Sequence, residues 1–347
     1  MTSIHWVSGT AGDFFLSLFV LHHAADFGVR PAWAAGVRQR VSSPNRETLE
    51  RIFSFSGVPL EWISRLPAPR DALTALRAAA DLAPADRLPA LTLPSELPDE
   101  ARRLLKTVAD RGMWTPEDKL KIISLHGHGP GPSPAGFDNL LMAWTALADN
   151  GEKYLAALQE YYQVYFAEEE ARIRPALESG LAKAQSMAPA LQPGELVERL
   201  SRGVRLEGLE TLTDLTLLPT WWVAPLVFLA RPGHEKMLMA FGVRPEVQSG
   251  AVGAEAPETL VIALKSLGDP TRLRILRYLS DGPLSPSELA RRLRLRPPTI
   301  IHHLRVLRFA GLVQVTVSES MEKRYAARLE ALQAIQNSLQ EFLNIHV

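Results

Sequence analysis

The chain has 347 residues, 46% of them hydrophobic and 22% charged; this is enough apolar material for two or three packed domains and excludes a disordered or fibrous polymer. It contains no cysteine, which excludes disulfides, thiolate metal sites and cysteine nucleophiles and suits a reducing, cytoplasmic setting. The formal net charge is zero, yet residues 257–347 hold 13 Lys and Arg against 8 Asp and Glu, leaving 25 against 30 elsewhere, so a small basic module is attached to a larger acidic one, and basic modules commonly meet phosphates.

The opening MTSIHWVSG has no basic run before an apolar core, and the apolar run Phe14 to Leu21 is broken at once by His22, His23 and Asp26. Neither a signal peptide nor a membrane span is expected. Over 1–203, apolar positions recur with helical period between Pro-rich joints such as RLPAPRD and HGHGPGPSPAG, which predicts a helical domain for effector binding or dimerisation. Thr115-Pro116-Glu117-Asp118 places a capping oxygen, a helix-compatible proline and early carboxylates in the order that a helix start favours. His126 and His128 share a Gly/Pro loop without a third-ligand motif and are read as plain loop; no catalytic or metal residue is expected. A longer helix is predicted from Glu152 past Glu170, with Pro175 kinking or ending it.

Tyr161, Tyr162 and Tyr165 on that helix, with Tyr154 and Phe166 nearby and Trp221 and Trp222 further on, are candidates for an effector pocket. The i, i+4 pairs Tyr161/Tyr165 and Tyr162/Phe166 suit ordinary packing as well. Residues 204–245 change to apolar runs bounded by turn residues, a small antiparallel β segment attached to the helical domain. Within it LLPTWWVAPLVFLA reads as two buried strands around a turn. Residues 246–257 collect Gly, Ala and Pro and form the expected linker.

Helical signals resume over 258–347. Asp269-Pro270 opens a helix carrying Leu273, Ile275, Leu276 and Leu279, and Ser285-Pro286-Ser287-Glu288 is a capping box for a second. A third helix spans 297–309. Val313, Val315 and Val317 then alternate with polar residues as a half-buried strand, and KRYAARL returns beside it. The last helix carries Leu329, Leu332, Ile335, Leu339 and Phe342 on one stripe, which asks for a partner. Helix, helix, turn, helix, hairpin is the winged helix-turn-helix layout, whose third helix lies in the DNA major groove. The expected fold is thus mainly α with small antiparallel β elements.

LKSLGDPTRLRILRYLSDGPLSPSELARRL, followed by PPTIIHHLRVLRFAGLV and EKRYAARL, resembles the ArsR-type family of bacterial transcription regulators over nearly all of 258–329. The helical regions ahead of it resemble those of longer members. The resemblance implies a homodimeric, cytoplasmic regulator of double-stranded DNA, most simply a repressor, with no cofactor, no membrane partner and an unknown small-molecule effector. The alternative is an enzyme in the N-terminal domain with a regulatory winged-helix module.

On the third helix Ile300, Leu304 and Leu307 share one face, which leaves Thr299, His302 and Arg305 on another. Arg305 can donate two parallel hydrogen bonds to guanine, Thr299 and His302 can reach base edges or phosphates, and Ile301 can meet a thymine methyl. Arg296, Arg308, Lys323 and Arg324 sit where backbone phosphates are expected. Adjacent helix residues point about 100° apart, so His302 and His303 do not grip one ion; His303 is expected to pack, with its ring nitrogens bonded locally. The terminal helix offers Glu330, Glu341 and His346 without the paired spacing of a chelate. Arg296, Pro297, Pro298 and Ile301 replace the Ser and Gln common in the family, and the wing tip SESMEK lacks the usual glycine and carries Glu319 and Glu322.

Overall fold

The computed structural model describes residues 2–27, 29, 31–126, 132–223, 226–233, 235–243, 257–318 and 321–343. Strand β1 (Ser3–Trp6) is followed by helices α1 (Ala11–His22), α2 (Pro31–Arg40), α3 (Ser43–Phe53), α4 (Leu60–Ser64), α5 (Ala72–Asp81) and α6 (Pro84–Thr92). The helical series continues through α7 (Asp99–Arg111), α8 (Pro116–Leu125), α9 (Pro134–Trp144), α10 (Leu147–Tyr161), α11 (Ala167–Met187) and α12 (Pro193–Leu200). Strands β2 (Val204–Leu206), β3 (Asp214–Thr220), β4 (Val227–Ala230) and β5 (Lys236–Gly242) precede the C-terminal α13 (Glu258–Leu267), α14 (Pro270–Ser280), α15 (Pro286–Leu293) and α16 (Pro297–Phe309). The hairpin β6 (Val313–Val317) and β7 (Lys323–Ala327) and the helix α17 (Leu329–Phe342) complete the chain. Among the described residues no helix is long and apolar enough to cross a membrane.

The N-terminal core is organised around α1, where Phe14, Phe15, Leu16, Leu18 and Leu21 are all buried. Asp13, in the first turn of that helix, is fully buried too. Its carboxylate accepts the backbone N–H groups of Trp221 (2.7 Å) and Trp222 (3.2 Å), which is the kind of compensation a buried charge requires. The chain leaving β3 is thereby fixed to the start of α1. Helix α10 lies against α6 at Gly151, where a Cβ would stand 1.9 Å from the Pro84 carbonyl oxygen; only glycine permits that approach. The helix start predicted at Thr115 forms, and it does so as a capping box, with Asp118 accepting the Thr115 N–H at 2.8 Å.

Pro175 neither ends nor divides its helix. α11 runs through it to Met187, and the irregularity falls earlier, as a π turn at Tyr162–Phe166 joining α10 to α11. Ile173 and Leu177 are buried on either side of Pro175, and their packing offsets the one hydrogen bond that proline removes.

The expectation of antiparallel sheets is corrected: both sheets are mixed. The first has the order β1-β3-β5-β4, with β3 parallel to both β1 and β5 and only β4–β5 antiparallel. The two strands read from LLPTWWVAPLVFLA exist but do not pair with each other, because β5 returns between them through the turn at Gly233, whose φ is +90°. The 204–245 segment is also not one unit. Its first strand, β2, leaves the others and runs parallel to β6, giving a second sheet of order β2-β6-β7. The linker expected at 246–257 lies outside the described residues except for Pro257.

His22 at the end of α1 stacks on Phe53 at 5.2 Å with rings 5° from parallel. Burial, and then the Arg38 charge, lower its pKa to about 3. The unfolded chain therefore binds the proton first, and stability present above pH 6.5 is lost as pH falls towards 3, by up to about 1.4 kcal/mol per pH unit. His22→Phe should flatten this part of the stability curve, as measured by urea unfolding at pH 7, 5.5 and 4.

Candidate nucleic-acid interface

The C-terminal helices begin where their caps dictate. The Asp269 carboxylate accepts the N–H groups of Thr271 (2.8 Å) and Arg272 (3.0 Å) at the start of α14. These bonds hold the carboxyl below its usual pKa. Ser285 and Glu288 form the reciprocal capping box of α15, with Glu288 accepting the Ser285 N–H at 2.7 Å. Arg294 then adopts a left-handed backbone (φ 56°), which turns the chain into Arg296 and the paired prolines that open α16.

Ile300, Leu304 and Leu307 on α16 are fully buried against α14 and α15 residues Ile275, Leu276, Leu279 and Leu289. At about 1.5–3 kcal/mol for each large side chain buried, this stripe fixes which face of the helix is free. Arg296, Thr299, Ile301 and His302 are exposed there, with Arg305 half-buried beside them. These five predicted residues are brought together on one surface. Behind them the β6–β7 hairpin is joined to the second helix turn by reciprocal Leu284–Tyr325 backbone bonds of 2.9 and 2.8 Å. Lys323 and Arg324 are exposed on β7, and Arg324 is paired with Glu288 at 3.5 Å. At the tip Met321 takes the left-handed conformation (φ 63°) that a glycine would adopt more readily. Glu319 lies outside the described residues.

Arg308 is placed differently from expectation. It is 8% exposed, and its guanidinium donates to the Ser201 carbonyl at 2.8 Å, just ahead of β2. Burial lowers its pKa to about 10, so it keeps its charge at neutral pH. It is a tie between α16 and the N-terminal part rather than a phosphate contact. His303 is half-buried as expected, but its Nδ1 is buried without a hydrogen-bond partner rather than bonded locally. Its ring meets His302 edge-on at 5.9 Å.

The aromatic residues picked out in the N-terminal part pack against one another and their neighbours, and none of them lines the large cavity described below. Tyr161 is fully buried and shares a 2.9 Å hydrogen bond with Ser17. Tyr162 reaches Glu170 at 3.4 Å. Tyr165 lies edge-on to Trp33, which tilts against Trp222 at 4.9 Å, and Trp221 carries the Arg172 guanidinium at 4.8 Å. A cavity of about 1000 Å³ lies elsewhere, between the α3–α4 joint, α6 and the start of α7. Sequence reasoning missed it, although Phe53, Phe55 and Trp62 around a Pro/Gly joint gave a signal. Of the loop histidines, His126 lies beside Phe137 at its edge, and His128 is outside the described residues. Among the described residues no group of three or more His, Asp or Glu side chains is arranged to hold a metal ion.

A capped helix-turn-helix with one polar face outward and a hairpin beside it defines the class: a winged helix-turn-helix DNA-binding domain. Residues 269–315 match the family described as bacterial regulatory protein, arsR family, and the chain belongs to that family, carrying its DNA-binding transcription-regulator domain within a longer polypeptide. It is 39% identical over 97 residues to the biofilm growth-associated repressor of Agrobacterium fabrum, covering 26% of this chain and 81% of that protein. It is 45% identical over 62 residues to the HTH-type transcriptional regulator CmtR of Mycobacterium tuberculosis, covering 18% and 52%. The match to NmtR of the same organism is 37% over 65 residues, covering 19% and 54%. The chain thus spans about half the length of the latter two relatives.

Replacing Arg308 by Met should lower stability by about 1–3 kcal/mol by leaving the Ser201 carbonyl unpaired. Urea unfolding measures that loss, and amide exchange should quicken in Val204–Leu206. The slope of DNA affinity against salt should stay unchanged, because no phosphate contact is removed.

Proposed function

We propose that the protein is a homodimeric, operator-binding repressor whose α16 enters the major groove and whose N-terminal part senses a small molecule. The observation that carries the reading is the division of α16 into a buried stripe, Ile300, Leu304 and Leu307, and an outward face bearing Thr299, Ile301, His302 and Arg305. Such a face suits Arg305 to guanine O6 and N7 and Ile301, 38% exposed, to a thymine methyl. Arg296 and Lys323 flank it at helix start and wing, where phosphate contacts set register. Repression as the output is supported by the name of the Agrobacterium relative.

Dimerisation is supported by unpartnered apolar surface. α17 has no buried residue, and Leu329, Phe342 and Leu343 are 59%, 39% and 53% exposed. The neighbouring α13 and α14 add Ile262, Leu264 and Leu273. A two-fold pairing of this surface would present two α16 helices to half-sites about one helical turn apart.

Selection from a random DNA pool should yield a pseudo-palindromic site. Against that site Arg305→Ala should cost about 1–3 kcal/mol and relax preference at one base pair, whereas Lys323→Ala should weaken all sequences alike and reduce the salt slope by about 1. Unchanged operator affinity for Arg305→Ala in a titration at fixed salt would remove α16 from the groove. Sedimentation should show the Leu329→Glu, Phe342→Glu double variant as a monomer at concentrations where the parent is a dimer.

A further inference from the structure

The cavity of about 1000 Å³ in the N-terminal part is at the upper end of the range typical of small-molecule sites. Its walls are largely apolar, with Phe53, Phe55, Trp62, Ile122 and Phe137 contributing rings and branched chains. The charged groups on the wall are already engaged. Glu61 pairs with Arg65, Arg102 donates to the carbonyls of Pro94, Ser95 and Leu97, and Glu96 accepts the Arg231 N–H at 3.1 Å. Ser56 also lines the cavity, but it is 6% exposed and its hydroxyl is turned away from solvent, so the apolar side chains make the floor of the site.

One wall of this cavity leads to the wing. Leu229 on β4 lines it and also packs against the cluster of Val204, Val315 and Val317, which joins β2 to β6. The chain just after β4 is tied by the Arg231–Glu96 bond to the α6–α7 connection, which lines the same cavity. A molecule seated against that wall touches a residue packed on the strand pair that holds the wing sheet to the N-terminal part.

We propose that this cavity is the effector site, that it takes an uncharged lipophilic molecule, and that occupancy is transmitted to the DNA-binding domain through Leu229 and the β2–β6 pair. The proposal rests on the sensing role stated above and assigns it a place and a ligand chemistry. Transmission requires the ligand to favour one arrangement of the strand pair over the other, since equal affinity shifts nothing.

The test uses the full chain and Nile red, an uncharged dye that fluoresces in apolar surroundings. Expected is saturable binding of one dye per chain, weakened at least tenfold by Ala90→Phe and by Leu93→Trp, which add bulk to the wall. Thermal melts identify whichever variant retains the fold. 1-Decanol should displace the dye, and decanoate should need at least tenfold more. Dye binding that neither folded variant weakens overturns the site; equal displacement by decanoate overturns the ligand class. With DNA from the selected pool, dye saturation should change the Kd at least threefold, and Val204→Ala should abolish that change while keeping dye affinity within twofold. An unchanged Kd in the parent overturns the transmission. Failure to select any DNA would instead sink the regulator reading, and the dye measurements would still decide the cavity.

Discussion

The outer edge of β6 carries backbone N–H and C=O groups that must find partners, and the structure satisfies them from the other half of the chain. Val204–Leu206 pairs with Val315–Val317 in parallel register, extended on both sides by Val315 N–H to the Gly203 carbonyl at 3.0 Å and Glu207 N–H to the Val317 carbonyl at 2.9 Å. Each such bond contributes only about 0.5–1.5 kcal/mol net, but together they close an edge that would otherwise invite another strand. The wing sheet is thus built from both halves. The Arg308–Ser201 bond adds a second tie, directly to the last turn of α16. The orientation of the recognition helix is consequently held along its buried face by α14 and α15 and at its C-terminal end by the acidic part of the chain.

What the sequence disclosed and what it hid divide along the range of the interaction. The caps at Thr115, Asp269 and Ser285 are complete within four residues, and each forms as read. The stripe Ile300, Leu304 and Leu307 needs only helical period, and it is buried as read. The strand pairings are different, because nothing local in Ser3–Trp6 or Val204–Leu206 announces which distant strand it will join. Parallel partners are joined by long connections and leave no hairpin signature, so the antiparallel expectation failed where the pairing was non-local and held at β4–β5 and β6–β7, where a turn joins the strands. Arg308 departs from its expected place for the same reason: helical period puts it three residues beyond Arg305, and the Ser201 carbonyl, 107 residues away, draws it inward.

The aromatic residues show a related limit. Tyr161, Tyr162 and Tyr165 attract notice by clustering in sequence, yet the clustering reflects a π turn wedged against α1, with Phe14 and Phe166 5.2 Å apart beside them. The open space lies beside helix joints marked by proline, with Pro59, Pro89, Pro94 and Pro132 among its lining residues. The cluster of large side chains in the sequence marked a packed region, and the cluster of helix breakers marked the cavity.

The paired prolines that open α16 have an effect on how that helix meets a polyanion. The start of a helix ordinarily offers free backbone N–H groups to a phosphate, but Pro297 and Pro298 have none, and the Thr299 N–H is directed to the Arg296 carbonyl at 3.0 Å. In the proposed DNA complex, neutral main-chain anchoring would thereby be withdrawn from this end of the helix and pass to the side chains of Arg296 and Thr299. A guanidinium displaces condensed counterions from DNA where a peptide N–H does not, so grip by Arg296 at this end of a DNA-bound α16 would be set by the ionic medium more than by the fold.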